Sequence, residues 1–287
     1  MGGQSPARLL VTAGAGEDEL LAVAVDAARM AGELLRARVR RGAEAEVHSK
    51  STPTDLVSEA DLASQRAIRE LLAARRPADG FIGEEEHLAQ ASASGLSWVV
   101  DPLDGTVNFL FGIPQWCVSV AVRDEEGALA GAVYDPNRDE LFTATRNGPA
   151  LLASVDGALV ELRGPSGRSS GAPGEDELAT AMVATGLAYD AAVRRAQASV
   201  LARLIPRVRD IRRFGSAALD LTWTAAGRYD AYFERTVKQW DIAAGQLICE
   251  RAGLQVLELE AQENLPWGIL VATAALAGTL HEIVAGP

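Results

Sequence analysis

The stretch that decides the fold is residues 98–109, which read WVVDPLDGTVNF. Its first residues are apolar, so Asp101 stands at the end of a strand that we expect to be buried. A carboxylate there is costly to desolvate unless a cation or hydrogen bonds compensate its charge. Pro102 prevents the strand from continuing, and Gly105 permits a sharp turn. The stretch therefore predicts a buried strand that ends in a tight turn carrying two carboxylates.

This turn has the chemistry of a magnesium site. The turn folds Asp101 and Asp104 around one point, with the backbone carbonyl of Leu103 between them. Hard oxygen ligands suit Mg²⁺, which binds one or two carboxylates and keeps its waters and a substrate phosphate. Gly105 and Thr106 open a short helix whose free amides can bind a phosphate. An Asp-capped helix after a tight turn is the alternative interpretation of this segment alone.

Three further acidic residues lie at positions where a carboxylate is expected to need a cation or a hydrogen-bond donor. Glu84 ends an apolar segment, Asp241 opens an apolar helix, and Asp61 lies early in another helix. Each has an ordinary structural explanation: an acidic turn, an acid that interacts with the helix dipole, and a capping box with Ser58. Taken together, the acids favour metal-assisted phosphate chemistry more than any one of them does.

Composition limits the classes of partner. The 287-residue chain is 48% hydrophobic and 23% charged, so it can bury a substantial core. A net charge of −12 argues against a nucleic-acid or anionic-membrane partner. Cys117 and Cys249 stand alone in apolar stretches, which predicts buried free thiols. No signal peptide or membrane-length apolar run is visible, so we expect a cytoplasmic protein.

Hydrophobic spacing predicts a series of helices and strands. Helices are expected at residues 17–39, 58–76, 191–208, 216–226, 242–252 and from about 273. Strands are expected at residues 80–83, 98–101, 118–123, 130–134, 140–145, 182–185 and 231–233. Runs of strands followed by helices indicate an α+β fold rather than a regular βαβ array.

Residues 163–177 (RGPSGRSSGAPGEDE) form the one stretch rich in Gly, Ser and Pro. We interpret it as a surface loop rather than an interdomain linker, because apolar segments flank it closely. It separates an N-terminal α+β part, residues 1–162, which carries the DPLDGT turn, from a C-terminal α/β part, residues 178–287, which carries Asp241. We expect the two parts to form one compact catalytic unit.

Five segments resemble, in the right order, the inositol monophosphatase family. WVVDPLDGTVNF is similar to the first family signature, WxxDPxDGTxNF, and WDIAAGQLICERAG at residues 240–253 is similar to the second. The other matching segments are KSTPTDLVSEAD (50–61), FIGEEE (81–86) and FGSAALDLTWTAAGRYDAYFE (214–234). The resemblance implies a layered αβαβα sandwich, usually dimeric, with a magnesium-dependent phosphatase activity that lithium inhibits.

The resemblance also implies roles for individual residues. Two or three Mg²⁺ ions per site would be held by Glu84, Asp101, the Leu103 carbonyl, Asp104 and Asp241. The catalytic residues would be Glu84, Thr106 and Asp61, of which the last two orient the attacking water. Substrate would be bound by Gly105, Thr106, Gly215, Ser216, Ala217 and Glu234. Direct hydrolysis without a covalent phospho-enzyme is expected.

The sequence departs from the family pattern in ways that bear on the substrate. Val107, Arg251 and Lys238 differ from the residues usual in the family at their positions, but none of these changes removes a metal ligand. The resemblance implies inositol-1-phosphate as the substrate, and Glu234 favours a polyol because its carboxylate can accept hydrogen bonds from two hydroxyls. A histidinol-phosphate, 3′-phosphoadenosine-5′-phosphate or fructose-1,6-bisphosphate phosphatase stays open, with the discriminating pocket around Glu234, Arg235 and Lys238. A non-catalytic regulatory binding protein is the alternative from another class.

Overall fold

The computed structural model describes residues 13–41, 47–49, 56–85, 90–165 and 177–286. Most of the Gly/Ser/Pro-rich stretch, residues 166–176, and Glu86 of the FIGEEE segment lie outside the described residues. The described helices are α1 (Ala13–Arg41), α2 (Glu59–Arg75), α3 (Thr106–Leu110), α4 (Glu177–Thr180), α5 (Ala191–Leu204), α6 (Ala217–Ala225), α7 (Gln239–Arg251) and α8 (Ala274–Val284). The six predicted helices are all present, with ends that differ by a few residues.

The described strands form three sheets. A seven-stranded sheet has the order β3 (Gly80–Gly83), β4 (Ser97–Asp104), β5 (Cys117–Asp124), β6 (Gly127–Asp135), β7 (Glu140–Thr145), β8 (Leu151–Ala153) and β9 (Leu159–Glu161). A five-stranded sheet has the order β11 (Asp210–Arg212), β10 (Met182–Thr185), β12 (Ala231–Arg235), β14 (Gly268–Ala272) and β13 (Gln255–Leu259). A two-stranded pair joins β1 (Val47–Ser49) to β2 (Leu56–Ser58). The larger sheet is antiparallel except at β3–β4. Short connections join the strands from β5 to β9, whereas the link from β4 to β5 contains α3.

Helices cover both faces of each large sheet. Helices α1 and α2 pack on one face of the seven-stranded sheet, and α6 and α7 lie between the two sheets. Helices α4, α5 and α8 cover the far face of the five-stranded sheet. Small residues of α1 allow a close approach to the sheet, as where Gly32 lies against the Tyr134 ring. The arrangement confirms the predicted α+β, layered αβαβα sandwich.

Three apolar clusters fill the spaces between these layers. One lies between α1, α2 and the seven-stranded sheet, one surrounds α6 and α7, and one lies under α5 and α8. Cys117 and Cys249 are both buried free thiols, as predicted. Among the described helices, none has both the length and the apolar character needed to cross a membrane.

The structure corrects the prediction that Pro102 ends the first strand of the deciding stretch. Strand β4 continues to Asp104, and a break in its register with β5 between Asp101 and Asp104 accommodates the proline. A bulge is a normal place for proline, because the residue there need not donate to the ladder. Helix α5 in turn stops at Leu204, four residues before the predicted end, and a 3-10 turn containing Pro206 follows.

Candidate active site

Helix α2 presents a polar face to the edge of the site. Asp61, Ser64 and Gln65 are buried and follow the same helical stripe as the apolar residues farther along. The Ser64 hydroxyl donates to the Pro102 carbonyl at 2.7 Å, and the Glu85 amide donates to Gln65 Oε1 at 3.0 Å. Helix α2 therefore holds two separate acidic segments in place, one at the end of β3 and one at the end of β4.

The turn between β4 and α3 is fixed by its own hydrogen bonds. The Leu103 amide donates to Asp101 Oδ1 at 3.0 Å. Gly105 adopts a φ of 97°, a left-handed conformation that favours glycine, and it caps α3. The Thr106 hydroxyl lies 2.8 Å from Asp61 Oδ1 and 3.1 Å from the Leu103 carbonyl oxygen. Asp61 is thus a buried acceptor for Thr106, a contact that the capping-box explanation does not include.

Asp104 is held by the start of α6. Its carboxylate accepts hydrogen bonds from the Ser216 hydroxyl at 2.6 Å, the Ala217 amide at 3.2 Å and the Ala218 amide at 2.7 Å. Ser216 is only 1% exposed and also caps α6. The structure therefore places Ser216 behind Asp104, away from the pocket wall where the sequence analysis put it.

Asp241 occupies the first turn of α7. Its Oδ2 accepts a hydrogen bond from the Lys238 amide at 2.6 Å, which caps the helix, a contact that the helix-dipole explanation did not include. The same side chain also lines the pocket that Asp104 lines. The helix-capping role and a place in the site are therefore compatible.

One cavity of about 770 Å³ brings most of the predicted site residues together. Its walls include five residues of the predicted metal set: Glu84, Asp101, Leu103, Asp104 and Asp241. They also include five other predicted residues: Gly105, Thr106, Gly215, Ala217 and Glu234. Asp61 and Ser216 stand one layer behind, bonded to Thr106 and Asp104.

Burial and mutual repulsion perturb the carboxylates of this cavity. Burial, followed by the charges of Glu84 and Asp104, holds the pKa of Asp101 well above its usual range. Burial and the charge of Glu84 do the same to the pKa of Asp241. Burial raises the pKa of Asp104 to about 6, and the hydrogen bond from Ser216 opposes that rise. Acids that repel one another in a buried site are stabilised by a cation.

The donor set fits a magnesium ion. Across the described residues, no three acidic side chains converge on one point as a preformed metal cluster. The carboxylates of Asp101, Asp104 and Asp241 instead accept the hydrogen bonds described above. Magnesium keeps several waters and needs only one or two direct carboxylates, so a closed cage of side chains is not required. All the proposed donors are hard oxygens, and none of the described residues that line the cavity is a histidine or a cysteine.

Glu234 supplies an acidic group away from the metal set. It projects from β12, and the Tyr232 hydroxyl donates to its Oε2 at 2.9 Å. Burial raises the pKa of Glu234 to about 7, against the opposing effects of Tyr232 and the Arg213 guanidinium. Arg213 also lines the cavity, a contribution that the sequence analysis missed.

Arg235 does not belong to the discriminating pocket, which corrects the sequence analysis. Successive residues of a strand face opposite sides, so Arg235 points away from the cavity that Glu234 lines. It is 2% exposed, and its guanidinium donates to the carbonyls of Glu260 and Pro266 at 2.9 and 2.8 Å and of Ala285 at 2.5 Å. Arg235 therefore fastens the C-terminal segments to β12.

The structural role of Asn108 was also missed by the sequence analysis. Its buried amide donates to the carbonyls of Gln115 and Phe214, both at 2.7 Å. These bonds tie α3 to the Phe214–Gly215 wall of the cavity, 106 residues away along the chain. The available signal was its place as the fixed Asn of the signature WxxDPxDGTxNF, which does not show which groups it contacts.

The sequence and fold both match a known family. The profile of the Inositol monophosphatase family matches residues 17–286. An inositol-1-monophosphatase, SuhB of Mycobacterium tuberculosis, is 41% identical over 243 residues, which are 83% of this chain and 80% of the relative. The Nus factor SuhB of Pasteurella multocida is 39% identical over 257 residues, 89% and 91% of the two chains. The crystal structure of SuhB from Bartonella henselae superposes with a TM-score of 0.81 at 32% identity, covering 93% of this chain and 98% of that one.

The chain belongs to the Inositol monophosphatase family. Members of this family that the chain matches are phosphatases, and the protein is accordingly a phosphoric monoester hydrolase. Its family resemblance, inferred above from five segments, is thereby confirmed.

Proposed function

We propose that this phosphatase hydrolyses inositol-1-phosphate to myo-inositol and phosphate, with Mg²⁺ as its cofactor. The observation that carries the proposal is the cavity of about 770 Å³, in which the predicted metal-binding acids and Glu234 share one space. The acids suit a cation and a phosphate, and Glu234 suits the hydroxyls of a polyol. The two parts of the chain act as one catalytic unit, since both contribute acids to the cavity.

The proposed metal ligands are Glu84, Asp101, the Leu103 carbonyl, Asp104 and Asp241, which hold two or three ions. Bound magnesium supplies positive charge for the phosphate and lowers the pKa of water, as metals do in hydrolases generally. The protein contributes the positions of the donors. Asp104 is oriented by Ser216 and the start of α6, and Asp241 is oriented by the Lys238 amide.

Thr106 and Asp61 are proposed to orient the water that attacks phosphorus. With its proton donated to Asp61 at 2.8 Å, the Thr106 hydroxyl presents a lone pair to the cavity. That lone pair accepts a hydrogen bond from the water and aims its oxygen at the phosphate. The amides of Gly105 and Thr106, at the start of α3, are proposed to bind phosphate oxygens. Because water attacks phosphorus directly, the reaction needs no covalent phospho-enzyme, and net inversion at phosphorus is expected.

Substrate preference is proposed to rest on Glu234. A carboxylate accepts hydrogen bonds from two hydroxyls, which suits myo-inositol. Arg213 and Lys238 also line the cavity, so a substrate with a second anionic group is the competing choice. A panel of inositol-1-phosphate, histidinol phosphate, 3′-phosphoadenosine-5′-phosphate and fructose-1,6-bisphosphate separates these alternatives by kcat/KM.

The metal assignment is tested by removing one ligand charge. Asp241→Asn keeps an oxygen that can cap α7, so the fold should persist while kcat in saturating Mg²⁺ falls by about 100-fold or more. Asp190→Asn is the matched control, because Asp190 lines the same cavity but caps α5 through bonds that Asn also makes. Wild-type turnover by Asp241→Asn, or turnover by the wild-type protein in EDTA, would contradict the proposal.

The family resemblance also supports inhibition by lithium, a homodimer and a cytoplasmic location as proposals. Size-exclusion chromatography with light scattering tests the dimer directly. A regulatory role is the alternative from another class, since one similar protein carries the name Nus factor. The acids retained in the cavity favour an enzyme. Phosphate release that vanishes in EDTA and returns with Mg²⁺ decides for catalysis.

A further inference from the structure

Glu234 lies beside a glycine on the neighbouring strand. Strands β10 and β12 are parallel, with Ala184 opposite Tyr232 and Thr185 opposite Phe233. The same register continued by one residue brings Gly186, just after the end of β10, next to Glu234. Side chains two apart share one face of a sheet, so Tyr232 and Glu234 project on the same side.

The absence of a side chain at Gly186 leaves the space that the Glu234 carboxylate occupies. A Cβ at Gly186 would lie 1.9 Å from the carboxyl carbon of Glu234 and 1.9 and 2.0 Å from its two oxygens. Non-bonded heavy atoms do not approach so closely, so any larger residue must displace the carboxylate. The φ of Gly186 is not in the left-handed region, so the backbone does not itself require glycine. Glycine is therefore needed at this position because it leaves space for the Glu234 side chain.

Tyr232 holds the carboxylate from a second direction. Its ring is fully buried, and its hydroxyl donates to Glu234 Oε2 at 2.9 Å. This bond uses one acceptor position of the carboxylate, and the remaining lone pairs are free for two hydroxyl donors. Gly186 is absent from the walls of the large cavity, whereas Glu234 is part of them. A change at Gly186 thus reaches substrate through Glu234.

We propose that Gly186 and Tyr232 together position the Glu234 carboxylate so that it accepts hydrogen bonds from two neighbouring hydroxyls of a polyol phosphate. This arrangement of Gly186 and Tyr232 around Glu234 is called the seat below. Gly186 is then a positioning residue that determines specificity. The proposal rests on the proposed function and deepens it, because it names what sets the preference for the alcohol. A fixed acceptor favours substrates whose hydroxyls already have the matching spacing, since less ordering is needed on binding.

The test compares two substrates in each variant. Phenyl phosphate carries the phosphate ester but no hydroxyl groups, whereas inositol-1-phosphate carries the phosphate ester and hydroxyl groups. Gly186→Ala is expected to lower the ratio of kcat/KM for inositol-1-phosphate over phenyl phosphate by about 10-fold or more, the effect of losing a hydrogen bond to a charged group. The loss should appear mainly in KM. Gly278→Ala is the matched control, because a Cβ there meets no atom within 4 Å, and its ratio should equal that of the wild type.

Two further variants separate positioning from a general structural effect. Tyr232→Phe keeps the ring and removes only the hydroxyl, so it should lower the same ratio even if Gly186→Ala does not fold. In a Glu234→Ala background there is no carboxylate to displace, so adding Gly186→Ala should leave the ratio unchanged. Coupling of this kind is what a double-mutant cycle measures.

The outcomes distinguish the two proposals. A wild-type ratio retained by both Gly186→Ala and Tyr232→Phe would overturn the seat while leaving inositol-1-phosphate as the substrate. Failure of the wild type to hydrolyse inositol-1-phosphate would overturn the proposed function, and the ratios would then be measured with 2-glycerophosphate, which has two free hydroxyls. If the wild type prefers neither polyol ester over phenyl phosphate, the seat has no role in specificity and the inference is wrong.

Discussion

Replacing Ser216 by alanine is expected to destabilise the protein through Asp104. The Ser216 hydroxyl donates to the buried Asp104 carboxylate at 2.6 Å and accepts from the Leu219 amide at 3.4 Å as the N-cap of α6. A hydrogen bond to a charged group contributes about 1.5–3 kcal/mol. A long cap bond contributes roughly 0.5 kcal/mol, the low end for N-caps. The free energy of unfolding should therefore fall by about 2–3.5 kcal/mol, which is roughly 3–6 °C in Tm for a chain of this length.

The loss should depend on pH with a definite sign. Burial raises the pKa of Asp104 from its ordinary value of 3.8 to about 6, so ionisation of this carboxyl lowers the stability of the fold as pH rises above 3.8. Ser216 opposes that cost because its hydroxyl stabilises the ionised carboxylate. At pH 8 the Ser216→Ala variant loses this compensation in full. At pH 5 the carboxyl is mostly protonated, and the lost bond is a neutral one that contributes only about 1 kcal/mol.

Urea unfolding in EDTA, at pH 8 and at pH 5, measures the effect without bound metal. Ser199→Ala is the matched control, because Ser199 is exposed on α5 and, among the described residues, its hydroxyl reaches only the Arg195 carbonyl at 3.5 Å. The control should stay within about 0.5 kcal/mol of the wild type. A Ser216→Ala variant as stable as this control at pH 8, or a larger loss at pH 5 than at pH 8, would refute the reasoning.

Three further predictions concern buried polar groups. Within the described residues neither oxygen of Asp220 has a hydrogen bond of normal geometry, and burial raises its pKa well above 3.8 although the Arg213 charge and the nearby Tyr229 hydroxyl oppose the rise, so ionisation costs stability as pH rises above that ordinary value. Thermal melts should show Asp220→Asn to be more stable than wild type at pH 8, by about 1–3 kcal/mol, and unchanged at pH 4. Arg235→Lys should cost about 3 kcal/mol in urea unfolding, because an ammonium cannot reproduce a fork that reaches two groups of carbonyls. Trp98→Phe should cost about 1–3 kcal/mol in the same assay, because it removes the 3.0 Å bond from the indole to buried Asp79.

Local sequence was sufficient wherever a residue's environment follows from its neighbours in the chain. The apolar run before Asp101 predicted a buried strand, and Gly105 predicted the turn and the short helix that follow it. Periodic apolar spacing located the six longer helices, because an amphipathic helix must turn one stripe towards the core. Seven described strands were missed, since they are short or lack a distinct alternation: β1, β2, β8, β9, β11, β13 and β14.

The motifs predicted which acidic residues lie together but not which groups hold them in place. Motif order indicated that Glu84, Asp101, Asp104 and Asp241 belong to one site, and the structure lines one cavity with all four. Their roles as metal ligands stay predictions until the Asp241→Asn test is made. The motifs did not indicate how each carboxylate is held, because its partners lie on other elements.

The sequence by itself determined the class of fold, the order of its main elements and the turn that carries Asp101 and Asp104. Only the tertiary structure decided that Ser216 supports Asp104, that Arg235 faces away from the cavity and that Gly186 makes room for Glu234. The physical reason is that these contacts join residues 24 to 112 positions apart. Sheet register and layer packing set such contacts, and neither is encoded in the spacing of any single segment.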